Sequence, residues 1–170
     1  FDLRRGLEEG DLRLYLQPIV SDDRSLLGFE ALLRWEDPIR GLVLPGDFIP
    51  LAESTGLIVE IGAWMLDEAC RTLASWGQQE QTRDLFIAVN VSEQQLRQSE
   101  FANTVREALR RNGARPELLK LEVTETMIHS DVDRTVALLR QLRSEKIEIS
   151  LDDFGVGYSS LGYLKWLPVQ

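Results

Sequence analysis

Residues 119–124, Leu-Lys-Leu-Glu-Val-Thr, place Leu119, Leu121 and Val123 on one side of an extended chain and Glu122 on the other. The same alternation recurs in residues 86–91 (FIAVNV), which set Ile87, Val89 and Val91 against Asn90, and in residues 147–152 (IEISLD), which set Ile147, Ile149 and Leu151 against Ser150 and Asp152. Amphipathic helical segments separate these strands. Residues 100–112 carry Phe101, Val105, Ala108 and Leu109 on one side and stop at Gly113, and residues 131–145 turn Val132, Val136, Leu139 and Leu142 inward. Strict alternation of strand and helix predicts parallel strands covered by helices, as a doubly wound open sheet or a barrel. The strand ends Asn90, Glu122 and Asp152 follow one another at steps of 32 and 30 residues, about one eighth of a (β/α)8 barrel of ~250 residues. The absence of a G-x-G-x-x-G turn after a first strand also weighs against the open sheet.

Towards the amino terminus the period-two pattern continues in residues 12–20 (LRLYLQPIV) and 26–35 (LLGFEALLRW). The link Ser21-Asp22-Asp23-Arg24-Ser25 is too short for a parallel crossover, so these strands form a hairpin and the sheet starts antiparallel. A loop containing Pro38, Gly41, Pro45 and Gly46 follows. Residues 57–76 then read as a helix with Ile58, Ile61, Met65, Ala69, Leu73 and Trp76 on one face and Gly77 as its stop. With no low-complexity segment or linker, residues 1–170 read as one domain. About five of the eight barrel units are present.

Composition narrows the chemistry. Nineteen Lys plus Arg against 28 Asp plus Glu give a net charge of -9, which disfavours duplex nucleic acid and anionic membranes. One cysteine, Cys70, and one histidine, His129, exclude disulfide frameworks and structural zinc. No apolar run reaches the ~20 residues of a membrane span and no signal peptide is evident, so a reducing, cytoplasmic location is expected. The chain opens on Phe1 and closes on Gln170 without a cap, as if cut from a longer protein.

Strand parity assembles a site. In the second strand Leu27, Phe29, Ala31 and Leu33 take the helix-facing side, which points Glu30 and Arg34 inward. A hairpin folded about Asp23 sets Gln17 across from Phe29 and Glu30. Glu30, Asn90, Glu122, Asp152 and the adjacent Asp153 then gather at the carboxy-terminal strand ends, where such folds keep their chemistry. Oxygen donors crowded in this way repel one another unless a cation intervenes, and they suit hard ions such as Mg²⁺, Mn²⁺ or Ca²⁺. Asp152 and Asp153 could serve two metals about 3.5–4 Å apart, a phosphoester is the natural substrate, and Arg34 could clamp a phosphate oxygen.

Glu30-Ala31-Leu32-Leu33-Arg34 resembles the signature of the EAL domain family, bacterial phosphodiesterases that convert cyclic di-GMP to the linear dinucleotide pGpG. The resemblance extends through Gln17-Pro18-Ile19-Val20, Phe48-Ile49-Pro50-Leu51-Ala52-Glu53, Asn90-Val91-Ser92, Leu121-Glu122-Val123-Thr124-Glu125 and Asp152-Asp153-Phe154-Gly155-Val156-Gly157-Tyr158-Ser159-Ser160. It implies a modified TIM barrel with an antiparallel first strand. It also implies one metal on Glu30, Asn90, Glu122 and Asp152, a second on Asp152 and Asp153, and catalytic roles for Glu30, Asp152 and Asp153. Gln17, Leu33 and Arg34 look like substrate contacts. Glu125 and the loop of Phe154, Gly155, Val156, Gly157, Tyr158, Ser159 and Ser160 resemble a regulatory pair that links the metal site to a homodimer interface. Mg²⁺ or Mn²⁺ is the implied cofactor, with Ca²⁺ inhibitory. Sensory or diguanylate-cyclase-like domains and an inner-membrane anchor are options for the parent chain.

Two departures stand out. Val156 replaces the threonine usual in the family's loop, and the later strands that bear a catalytic lysine and a further glutamate do not occur within these 170 residues. About 80 residues of barrel are thereby lacking, and the 170 residues alone are expected to be inactive, with exposed edges on the first and fifth strands. A noncatalytic cyclic di-GMP receptor and a general metal-dependent sugar or phosphate barrel are the competing functions. Simpler roles also exist for single residues: Arg34 as the ion-pair partner of Glu30, Asp152-Asp153 as turn chemistry, Cys70 as a small apolar core residue, His129 in a loop, and Trp64, Trp76 and Trp166 as packing.

Overall fold

A computed structural model describes residues 3–129 and 131–152. Its elements in chain order are α1 (Leu3–Glu9), β1 (Leu12–Val20), β2 (Leu26–Asp37), β3 (Gly41–Val43), α2 (Pro45–Thr55), α3 (Ile58–Trp76), β4 (Phe86–Asn90), α4 (Glu93–Leu96), α5 (Phe101–Asn112), a 3-10 turn (Pro116–Leu118), β5 (Leu119–Thr124), α6 (Glu125–His129), α7 (Val132–Ser144) and β6 (Glu148–Asp152). One sheet runs β1-β2-β4-β5-β6, with β3 paired to the far end of β2. The first pair is antiparallel, and β2, β4, β5 and β6 are parallel to one another. The fold is therefore α/β, an incomplete barrel with an antiparallel first strand, as the alternation and the short link at residues 21–25 predict.

The core lies on one side of this sheet. Ala31, Leu33 and Trp35 of β2, Ile87 and Val89 of β4, and Leu119, Leu121 and Val123 of β5 are buried against helices. Ile61, Leu66, Ala69 and Leu73 of α3, Val105 and Ala108 of α5, and Leu139 and Leu142 of α7 complete the layer. Cys70 is fully buried, and burial pushes its thiol up to about 12, so it is an inert core residue. Trp64 and Trp76 pack against the core, Trp76 with its ring 5.2 Å from that of Phe29. Trp166 lies outside the described residues.

Several elements differ from the sequence reading, each for a local reason. The segment read as a loop around Pro38 and Pro45 contains β3 and α2. Pro45 opens α2, where its missing N–H costs nothing, and Gly56 closes it at φ +76°, a left-handed cap. Phe48 of α2 is fully buried and meets the Trp35 ring edge-on at 5.9 Å. Ser92 and Gln95 form a reciprocal capping box that starts the one-turn α4. His129 ends α6 rather than lying in a loop. Gly77 does end α3, but in right-handed conformation (φ -58°), so its flexibility is not what stops the helix. Leu27, assigned to the helix-facing side, is 43% exposed, next to the exposed hairpin link of residues 22–25.

One contact fixes how β2 lies against β4. Gly28 is the register partner of Phe86, and a Cβ at Gly28 would meet the Phe86 Cγ at 2.7 Å, with the Phe86 carbonyl closer still. Because a backbone atom is involved, the strands themselves would have to part. Gly28→Ala is expected to cost about 1–3 kcal/mol of unfolding free energy, measured by urea denaturation; a midpoint equal to the wild type would show that the β2–β4 spacing is not this tight.

Candidate active site

The face of the sheet opposite the helices carries the polar residues. Gln17 pairs in register with Glu30 across the hairpin, Asn90 pairs with Glu122, Glu122 pairs with Ser150, and Thr124 pairs with Asp152. Residues opposite one another on neighbouring strands share a face, so these pairings place Gln17, Glu30, Asn90, Glu122 and Asp152 on one surface. Local structure holds the strand ends in place. The Val91 amide donates to the Glu122 carbonyl at 3.0 Å, which carries the β4–β5 ladder past Asn90. The Ser92–Gln95 box then turns the chain away, with Gln95 buried against Gly62 of α3.

Asn90 donates from Nδ2 to Glu30 Oε1 at 2.9 Å, across 60 residues of sequence. That bond orients Glu30 and leaves Oδ1 of the amide as a lone-pair donor on the same face. Glu122 is half-buried, and its proton affinity is raised, first by burial and then by the charges of Glu30 and Asp152. Lys120 and Ser150 act weakly in the opposite sense. Glu122 on β5 therefore feels the carboxylates of Glu30 on β2 and Asp152 on β6, a crowding of negative charge that a divalent cation would relieve. Among the described residues no three Asp, Glu, His or Cys side chains close into a ready-made metal cage. The donor set is an all-oxygen one, and Asp153 lies outside the described residues.

Arg34 does not pair with Glu30. Its Nη1 donates to the Leu33 carbonyl at 2.8 Å and its guanidinium carbon lies 5.6 Å from the Tyr15 ring centroid. Leu33 has the opposite parity, with its side chain in the core at 5% exposure, so only its backbone borders the site. Glu125 is the first residue of α6, half-buried directly after β5. The loop residues Phe154, Gly155, Val156, Gly157, Tyr158, Ser159 and Ser160 lie outside the described residues.

Two site neighbours escape a search for carboxylates. Tyr15 stands two residues before Gln17, and Lys120 two before Glu122, each on the polar face. Lys120 Nζ sits 3.1 Å from Glu148 Oε2 and 4.0 Å from the Phe86 ring centroid, a structural cation one step below the acidic residues. The period-two spacing that finds Glu122 also finds them.

A partial β/α barrel whose strand ends gather acidic and amide oxygens defines the class. A family model for the EAL domain matches residues 2–170, and the chain belongs to that family. It is 49% identical over 170 residues to the bifunctional diguanylate cyclase/cyclic di-GMP phosphodiesterase MucR of Pseudomonas aeruginosa, covering 99% of this chain and 25% of that protein. The cyclic di-GMP phosphodiesterase NbdA of the same species is 41% identical over 170 residues, covering 99% and 22% respectively. The solved structure of the PaMucR phosphodiesterase in complex with c-di-GMP matches with a TM-score of 0.94 at 48% identity, over 99% of this chain and 68% of that one. The chain thus spans a quarter or less of the length of these two curated relatives.

The coupling of Glu122 to its neighbours sets a pH dependence. A carboxyl whose proton affinity rises on folding binds more protons in the native state than in the unfolded one. Stability contributed at this position therefore falls as pH climbs from about 4.3, the ordinary glutamate value, through the raised value of folded Glu122. In the presence of a chelator, Glu122→Gln is expected to raise the melting temperature by about 2–4 °C at pH 7.5, with the difference vanishing near pH 4. A melting temperature unchanged at pH 7.5 would mean that the carboxylates do not crowd one another.

Proposed function

We propose that this chain contributes the metal-holding wall of a phosphodiesterase that hydrolyses cyclic di-GMP to linear pGpG with Mg²⁺ or Mn²⁺. The observation that carries the proposal is the Asn90–Glu30 hydrogen bond beside a Glu122 whose proton affinity is raised by Glu30 and Asp152. The relatives MucR and NbdA, both cyclic di-GMP phosphodiesterases, support the same substrate.

Each residue then has a task. Glu30, Asn90, Glu122 and Asp152 would hold one ion, and Asp152 with Asp153 a second, with Asn90 keeping Glu30 oriented through its amide N–H. When bound, such ions supply an activated water and stabilise the leaving oxygen. Arg34 offers planar N–H donors to a non-bridging phosphate oxygen. Gln17, level with Glu30 on β1, reaches the same ligand. Glu125 and the loop from Asp153 to Ser160 would couple this site to a homodimer contact. Ca²⁺, larger and with looser coordination, would occupy the carboxylates without supporting turnover. Residues 1–170 would form a single EAL domain lacking the carboxy-terminal part of its barrel, within a cytoplasmic or membrane-anchored signalling protein. Among the described residues no helix is long and apolar enough to cross a membrane.

The test follows conversion of cyclic di-GMP to pGpG by chromatography. In the intact parent protein, Glu30→Ala is expected to lower turnover by about 10²-fold or more, and chelation to abolish it until Mn²⁺ is restored. The 170-residue chain alone is expected to show only background turnover, because among the described residues β1 and β6 each have one unpaired edge. Tight binding without turnover by the intact protein would replace the enzyme with a noncatalytic receptor.

A further inference from the structure

Lys120 and Arg34 share the polar face of the sheet, yet they are held in different ways. Lys120 is neutralised by Glu148 at 3.1 Å. Arg34 has no carboxylate within ion-pair distance among the described residues, although the face is lined with acids. Among the described residues it donates to the Leu33 carbonyl and lies against the ring of Tyr15. Both lie on the Glu30 side of Arg34: Leu33 precedes it along β2, and Tyr15 is the register partner of Leu32. Tyr15 is therefore the diagonal cross-strand neighbour of Arg34, a spacing that an aromatic ring and a long side chain can bridge.

Tyr15 is not one of the described residues that pack against the hydrophobic core. The helix-facing residues of β1 are Leu12, Leu14 and Leu16, which meet the core, whereas Tyr15 stands on the other face at 43% exposure. An aromatic face beside a guanidinium attracts it electrostatically and restricts its rotamers, while leaving its N–H donors free in the plane. We propose that Tyr15 is a positioning residue for Arg34. Its ring and the Leu33 carbonyl draw the guanidinium back towards the row of Glu30 and Gln17, so that the open N–H groups meet a phosphate oxygen of the substrate. This assignment rests on the phosphodiester substrate proposed above.

Steady-state hydrolysis of cyclic di-GMP by the intact protein, together with calorimetric binding of cyclic di-GMP in Ca²⁺, tests it. Tyr15→Leu and Tyr15→Thr are expected to raise KM and the binding Kd by about threefold to fivefold, the value of an accessible cation–π contact, with little change in kcat. Tyr15→Phe keeps the ring and is expected to restore both constants. In an Arg34→Ala background, Tyr15→Leu is expected to add nothing further, because its effect passes through Arg34. Unchanged constants in both ringless variants, failure of Tyr15→Phe to rescue, or additivity with Arg34→Ala would overturn the assignment while wild-type binding leaves the substrate proposal standing. Wild-type protein that neither binds nor hydrolyses cyclic di-GMP would overturn both.

Discussion

A parallel strand in this fold must bury alternate side chains under helices, and that requirement decides where everything else goes. Ile87 and Val89, Leu119, Leu121 and Val123, and Ala31, Leu33 and Trp35 all fall on the helix side of one sheet and are buried there. The residues between them have no choice of face. Glu30, Asn90, Glu122 and Asp152 are therefore delivered to a common surface by the packing of residues that take no part in chemistry. A one-residue slip of β5 would exchange buried Leu121 or Val123 for Glu122, and a slip of β4 would carry Asn90 towards the core, so the hydrophobic core also fixes the geometry of the polar site.

The strands and the site were legible because period-two alternation is carried by many residues at once. The hairpin, β4, β5 and β6, and the placement of Gln17 opposite Glu30 all follow from it. Elements shorter than that signal were not legible. α1, α4 and α6 have seven, four and five residues, too few to display a helical period. α2 was obscured because Pro45 and Gly46 read as loop formers, although a proline opening a helix and a glycine closing it form a recognised pair. Its anchor, Phe48 against Trp35, is a long-range contact that no local pattern reveals. Leu33 illustrates a different limit: the motif that includes it says nothing about which of its atoms matters, and parity sends its side chain to the core.

Charge distribution on the polar face separates structural cations from available ones. Lys120 lies beneath Glu122 on the same strand and is held by Glu148 and the Phe86 ring. Arg13, at the register position opposite Arg34, is held by Glu36 at 3.0 Å. In a chain of net charge -9, an arginine left to a tyrosine ring and a backbone carbonyl marks a place where an anion can approach an otherwise acidic surface. Period-two spacing puts Tyr15 on this face, but its pairing with Arg34 becomes visible only once cross-strand register is known.

The same crowding that raises the proton affinity of Glu122 also explains why the site lies at strand ends rather than deeper. At the level of Lys120 and Glu148 the face carries an opposite-charge pair that neutralises itself, whereas further along Glu122 feels the charges of Glu30 and Asp152 more than that of Lys120, and Asn90 donates to Glu30. Fully buried, three such carboxylates would simply take up protons. Fully exposed, they would be screened and indifferent to one another. Partial burial of Glu122, with Asn90 and Asp152 open to solvent, keeps the repulsion that the proposed cation would relieve and leaves a path by which it would enter. The helices on the opposite side carry the stability that this arrangement spends.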